Sequence, residues 1–155
     1  MRETGLILLV LIGLGLLFFM VLAVISQSTP KSLGLSHGML RACSDAPNCV
    51  CSEAEYQTDA THFVEPMKAT AARWAKLQQQ IVQQGGKLEV VNDHYLHATF
   101  SSSIFHYVDD LECRYDEASG LIHLRSASRV GHSDLGANRK RVNALKQAMH
   151  SDVNK

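Results

Sequence analysis

The chain has 155 residues, room for one domain and an appendage. Fifteen Lys and Arg offset fifteen Asp and Glu, so the net charge is zero with neutral His, and there is no global electrostatic case for a nucleic-acid partner. A hydrophobic content of 46% overstates the core, because much of it falls in the first 25 residues.

Residues 5–25 read GLILLVLIGLGLLFFMVLAVI, uncharged throughout. At about 1.5 Å per residue such a helix is roughly 30 Å long, the thickness of a bilayer core. A cleaved signal peptide has a shorter apolar region and a small-residue exit, which Ala23-Val24-Ile25 fits poorly. A lipoprotein needs its Cys directly after the apolar run, yet Cys43 lies far beyond Ile25 and follows Arg41. The pattern predicts an uncleaved signal anchor that contacts the lipid bilayer, behind a short cytoplasmic tail at 1–4. Gly13 and Gly15 do not form a G-x-x-x-G pair, so helix dimerisation has no support. Arg2, Glu3, Lys31 and Arg41 barely decide the orientation. The four cysteines decide better: all lie beyond the anchor, and an even count favours an oxidising compartment. The expectation is a single-pass membrane protein with its N-terminus in the cytoplasm and its domain outside, on the oxidising side.

Residues 26–39, rich in Ser, Gly and Pro, read as a flexible linker. A soluble domain is expected over 40–150, with a short tail at 151–155. It opens on LRACSDAPNCVCS. Asp45, Ala46, Pro47 and Asn48 suit a tight turn between Cys43 and Cys49. Four cysteines allow three pairings. The reading pairs Cys43 with Cys49 and Cys51 with Cys113, and does not join Cys49 to Cys51. A thiolate metal site with His37 or His62 is the rival, but C-x5-C-x-C lacks the usual zinc spacing, so no metal is assigned.

A helix is predicted over 66–84, with Pro66 at its first position and Gly85-Gly86 as its stop. Met67, Ala71, Trp74, Leu77 (or Gln78) and Ile81 recur at threes and fours as its buried stripe. Strands follow. Leu88 and Val90 alternate with Lys87, Glu89 and Val91. Leu96, Ala98 and Phe100 alternate with Tyr95, His97 and Thr99. The next strand sets Phe105, Tyr107, Asp109, Leu111, Cys113 and Tyr115 on one face. His106, Val108, Asp110, Glu112 and Arg114 fall on the other. A turn at 116–120 returns the chain through Ile122, Leu124, Ser126 and Ser128 on the inner side, with His123, Arg125 and Arg129 outside. Short turns and alternating faces argue for an antiparallel meander with one solvated side.

Register follows from chemistry, since a one-residue slip would swap every side chain. Setting Tyr115 against Ile122 also sets Cys113 against Leu124, Leu111 against Ser126 and Glu112 against Arg125. That keeps apolar with apolar and acid with base, and leaves Asp110 diagonal to Arg125 and Arg129. The closing helix runs from Ser133 or Gly136 to His150, capped by Ser133 or Asp134. Asn138, Val142, Leu145 and Met149 form its inner stripe. The fold class is therefore α+β: a transmembrane helix, then a four-stranded antiparallel meander with two helices on one face.

The outer face offers His97, Asp110, Glu112, Arg125 and Arg129, with Arg139 and Arg141 nearby, as ligand- or partner-binding candidates. A general acid or base and an anion clamp could be drawn from them. A solvated face laced with weak charge pairs accounts for the same residues. No nucleophile elbow, phosphate loop, HExxH or EF-hand loop occurs, so no catalytic residue and no cofactor is assigned. Asp109 is separate: it sits on the apolar face, so it must be paired, and is read as structural with Ser126, Ser128 and Asn138.

RSASR-x-G-x-x-D-x-G-x-NR-x-R, over 125–141, resembles the signature of the domain-of-unknown-function family 1499, and PNCV, YLHA and VDD-x-E extend the resemblance in order. It implies a small exported or membrane-linked domain, mostly bacterial with relatives in plastids, and supplies no catalytic residues. It also implies that Cys51 and Cys113 are additions to the family pattern, which fits a second bridge. The reading is a membrane-tethered binding or accessory module contacting another membrane or envelope protein. The alternative is a small hydrolase or transferase acting on an anionic substrate through the outer sheet face.

Overall fold

The computed structural model describes residues 2–150, so the tail expected at 151–155 lies outside the described residues. Helix α1, Arg2–Ser26, takes in the apolar run and most of the expected tail at 1–4. Its Glu3–Ser26 segment is long and apolar enough to cross a membrane, with a mean hydropathy of 3.1.

The rest is an α+β unit. A hairpin of β1, Leu35–Ser36, and β2, Met39–Leu40, precedes β3, Cys49–Cys51. After β4, Met67–Lys68, comes α2, Ala71–Gln83. The meander is β5, Lys87–Val91, β6, Tyr95–Ser101, β7, Val108–Asp116, and β8, Leu121–Ser128. Helix α3, Ala137–His150, closes the chain. The main sheet runs β3-β8-β7-β6-β5, with β4 also on β8, so it has six strands rather than the expected four. The two additions, β3 and β4, are too short to show a period. They exist because β8 has a free edge, and an unpaired row of buried N–H and C=O groups is costly.

The register is the one that chemistry chose: Tyr115 opposes Ile122, Cys113 opposes Leu124, Leu111 opposes Ser126 and Glu112 opposes Arg125. Leu96, Ala98, Phe100, Leu111, Cys113, Ile122 and Leu124 face the two helices, which contribute Trp74, Leu77, Ile81, Val142, Leu145 and Met149. Leu77 and Ile81 are fully buried, and each such side chain contributes about 1.5–3 kcal/mol. Trp74 stacks on Tyr115 at 5.9 Å.

Helix α2 starts later than the expected 66. Met67 and Lys68 are drawn onto β8 against Ile122 and Leu121, and Thr70 Oγ1 caps the helix by accepting from Arg73 N at 3.1 Å. Ala71 is consequently exposed rather than part of the stripe. At the far end Gly86 cannot be replaced freely, because a Cβ there would lie 2.6 Å from Ile81 Cγ2.

Residues 26–39, expected as a flexible linker, lie against the sheet. Ser26 is fully buried, and Gly34 N donates to Glu112 Oε1 at 2.7 Å. Together with the following chain to His62 they cover the face opposite the helices. The expected solvated side is thus a second interior.

One expected bridge is present: Cys43 and Cys49 are bonded. The other is not; Cys51 and Cys113 are free and buried. The register explains this. Cys51 opposes Arg125 and Cys113 opposes Leu124, so the two thiols lie on opposite faces of the sheet and cannot meet. Cys49 and Cys51, two apart on β3, share the Arg125 side. Burial pushes the Cys51 thiol up to about 11, which makes it a poor nucleophile toward the bridge. We expect alkylation after unfolding without reductant to label Cys51 and Cys113 only. Peptide mapping that finds those two joined, or finds Cys43 labelled, contradicts the two-sided placement.

Candidate functional site

Three of the outer-face candidates, Asp110, Glu112 and Arg125, are almost wholly buried, and so is His97 at 6% exposure. The alternation of β6, β7 and β8 sends all four to the side covered by residues 26–62. Each carboxylate there is saturated. Glu112, fully buried, accepts from Arg125 Nη1 at 2.8 Å, from Tyr95 Oη at 2.7 Å and from Gly34 N at 2.7 Å. Asp110 accepts from Arg129 through both oxygens, at 2.8 and 2.7 Å, and lies 2.8 Å from His97 Nε2. Burial alone would raise the Asp110 pKa. The hydrogen bonds and charges of Arg129 and His97 outweigh it, and hold the carboxyl below its usual range. Tyr95 is pushed well up, first by burial and then by the Glu112 carboxylate it bonds.

The same face carries a third pair that the sequence reading left out. Arg114 donates to Glu53 through Nε and Nη2 at 3.0 and 2.9 Å. His123 Nδ1 lies 3.1 Å from the Ser52 carbonyl and 3.4 Å from Glu53. Arg114 and His123 could have been found, since they oppose each other on the outer register next to Glu112 and Arg125. Glu53 could not: it stands in a loop with no period. It also accepts from Leu40 N at 3.0 Å.

Arg129 has a further role. Its Nη1 donates at 3.2 Å to the carbonyls of Ser26 and of Gln27, at the end of α1. A cation is favourable there, where the last carbonyls lack helical partners and the helix dipole is negative. Gln27 Nε2 donates to His106 O at 2.9 Å, and Val108 N to Ser26 Oγ at 3.4 Å. One side chain therefore joins Asp110 in the sheet to the exit of the apolar helix.

Arg139 and Arg141 do not join this face. Arg139 donates to the carbonyls of Phe63 at 2.7 Å and Thr61 at 2.8 Å, holding the loop before β4. Arg141 lies on the helix side, over the Phe100 ring at 4.5 Å, and pairs with Asp109 at 2.6 Å. Asp109 points inward as expected, with Arg141 as its partner. Ser126, Ser128 and Asn138 form a neighbouring network: Ser126 Oγ donates to Asn138 Oδ1 at 2.6 Å, while Asn138 Nδ2 donates to Asn48 O and to Ser128 Oγ, each at 2.9 Å. Asn138 thus fastens β3, β8 and α3 together.

Two cavities open on the polar face. One, of about 330 Å³, is lined by Arg125, Arg129, Asp110, Asn48 and the Cys43–Cys49 bridge. Arg125 Nε is buried without a hydrogen-bond partner, alone in this among the buried side-chain nitrogens and oxygens of the described residues. The other, of about 440 Å³, is lined by His97, Glu89, Thr99 and Arg129. Among the described residues no three His, Cys, Asp or Glu side chains converge as metal ligands. His62 is turned onto Asp59 at 2.6 Å and Ala46 O at 3.2 Å.

The family described as protein of unknown function (DUF1499) matches residues 39–149, most of the chain, and the chain belongs to it. Comparison with curated proteins and with solved structures gives no match.

Because Glu112 is a buried ion with three donors, Glu112→Ala should cost about 3–5 kcal/mol, stranding Arg125. Asp109→Ala should cost about 1–2 kcal/mol, since its pair with Arg141 is partly open to water. Chemical denaturation of the full chain in detergent ranks them; the reverse order would mean that the cover over the sheet opens in solution. Asp110 gives a pH signature. Its folded pKa is depressed, so its contribution is present above the ordinary value of about 3.9 and is lost as pH falls through the folded value. The stability gap between the parent chain and Asp110→Asn should shrink below about pH 4. A gap that stays constant from neutral pH into that range would mean that Arg129 does not hold the carboxylate ionised.

Proposed function

We propose that this chain is a single-pass membrane-tethered binding module, retained by its apolar helix, which presents its domain to another membrane or envelope protein. The observation that carries this reading is the seat of the α1 exit on the domain. Ser26 is fully buried, and the Ser26 and Gln27 carbonyls both accept from Arg129. A signal peptide is removed during export, so a domain gains nothing by building polar contacts to its end. A retained helix, in contrast, is oriented by them. The Cys43–Cys49 bridge supports an oxidising compartment for the domain, which for a bacterial chain is the periplasmic side of the inner membrane.

The charged face favours a scaffold over a reaction centre. Glu53, Glu112 and Asp110 are each bound to a guanidinium, and Glu89 is engaged by Lys87 and Thr99, whereas a general base needs a free carboxylate. The alternative, a hydrolase or transferase acting on an anion, draws on Arg125 and Arg129, which line the 330 Å³ cavity. Against it, Arg125 and Arg129 are neutralised by Glu112 and Asp110, so the cavity holds no excess positive charge to attract an anion.

Two measurements test the reading. Intact mass of the membrane fraction should give the whole chain, with residues 5–25 attached; a mature N-terminus after Ile25 overturns the tether. Purified in mild detergent with the helix intact, the chain should carry a second protein at a fixed ratio. A chain that runs alone and is stabilised by millimolar phosphate or acetate would instead support the anion reading.

A further inference from the structure

We infer that two loops beside the α1 exit, residues 102–107 and 130–136, dip into the lipid bilayer, so that the domain lies on the membrane surface rather than above it. The inference rests on the tether reading above and deepens it, with lipid as the partner. It starts from depth. The Glu3–Ser26 segment has 24 residues and is therefore about 36 Å long, against a hydrocarbon core of about 30 Å. Phe19 lies about 10 Å below Ser26 along the helix. If the whole excess of about 6 Å were placed on the domain side, Phe19 would still sit about 4 Å inside the hydrocarbon boundary. Its side chain leans further toward the N-terminus, hence deeper.

The domain reaches down to that level. The Phe105 ring stacks on the Phe19 ring at 5.2 Å, and Tyr107 Oη donates to the Phe19 carbonyl at 3.2 Å. Phe105 and Tyr107 stack on each other at 5.5 Å. Tyr107, with an apolar ring and a polar tip, is of the type found in membrane-interface belts, and Phe105 adds apolar surface beside it. The neighbouring tips expose what water does not favour: Ile104 is 80% exposed and Leu135 is 88% exposed. Leu135 is held there at φ 54°, in the left-handed region that leucine rarely adopts. The second loop belongs to the same site, because Phe19 and Leu22 of α1 line one cleft with Tyr107, Val130 and Gly131. The first loop also tolerates an apolar setting. Ser102 N donates to Tyr107 O at 2.9 Å and Tyr107 N to Ser102 Oγ at 3.0 Å, which closes its ends and leaves its tip to the polar headgroup level, where water still serves the backbone.

The test uses the full chain reconstituted into phosphatidylcholine vesicles, with and without lipids brominated high on the acyl chains. Trp74 is buried in the core and gives a constant background. Tryptophan is added singly by Ile104→Trp, Leu135→Trp, Phe18→Trp on α1, and Ala118→Trp in the β7–β8 turn, at the end of β7 opposite to Val108, which contacts Ser26. These positions are exposed, so the variants should fold. The expected result is that Ile104→Trp and Leu135→Trp lose most of their added emission to bromine, as Phe18→Trp does, while Ala118→Trp loses none. If Phe18→Trp is quenched and the two loop positions behave like Ala118→Trp, the helix spans the bilayer but the domain stands clear, and the inference fails alone. If none is quenched, both the inference and the tether fail. Quenching of the loops without Phe18→Trp keeps the membrane contact and removes the spanning helix.

Discussion

A sheet covered on both sides by unlike materials is the constraint on which this domain depends. On one side α2 and α3 satisfy their own backbones and present mainly apolar side chains, with Asn138 and Arg141 as the polar exceptions, so the sheet answers with Leu96, Leu111, Ile122 and Leu124. On the other side the cover is a chain with little regular structure. Such a chain carries N–H and C=O groups that no helix or ladder consumes, and each must find a partner once water is excluded. The sheet supplies those partners as charged side chains. Glu112 takes Gly34 N, Glu53 takes Leu40 N, Arg129 gives to Ser26 and Gln27, and His123 meets Ser52 O.

This arrangement explains why the buried face is ionic rather than merely polar. A carboxylate can accept from a guanidinium and from a backbone N–H at once, and a guanidinium can span a carboxylate and two carbonyls. Glu112 and Arg129 both do so. The desolvation of each ion costs several kcal/mol, and hydrogen bonds to the neighbouring charges and backbone groups offset it. Arg125 Nε is the exception among the described residues. The Cys43–Cys49 bridge stiffens the cover near this face, where chain entropy would otherwise favour opening.

Much of this was legible in the sequence, and the limits have physical causes. Alternation in 95–100, 108–115 and 121–128 reveals two faces, and the acid–base match of Glu112 with Arg125 selects the register. Alternation cannot say whether the polar face is wet. The signs of Asp110, Glu112, Arg114, Arg125 and Arg129 are as well matched in a dry interior as on a solvated surface, so the expected solvated side was a buried one. The cover itself has no period to read, because its position is set by the sheet's side chains rather than by its own pattern. The Cys51–Cys113 pairing failed for a related reason: opposite faces become visible only when β3 is known to lie on β8. Helix α2 began late because Met67 belongs to that same edge.

The position of Arg129 gives the two halves of the chain a common dependence. It is bound to Asp110, and through it to His97, on the sheet side, and to the last carbonyls of α1 on the other. A flexible stalk would need none of this; it would leave the domain free to tumble and the helix end solvated. A clamp at the exit converts the helix axis into an orientation for the sheet. The loops before β7 and after β8 then lie beside α1, and the β7–β8 turn lies at the opposite end of the sheet. The polar face thus serves as the joint between the apolar helix and the domain, which accounts for charges that are many, matched and buried without requiring that they react.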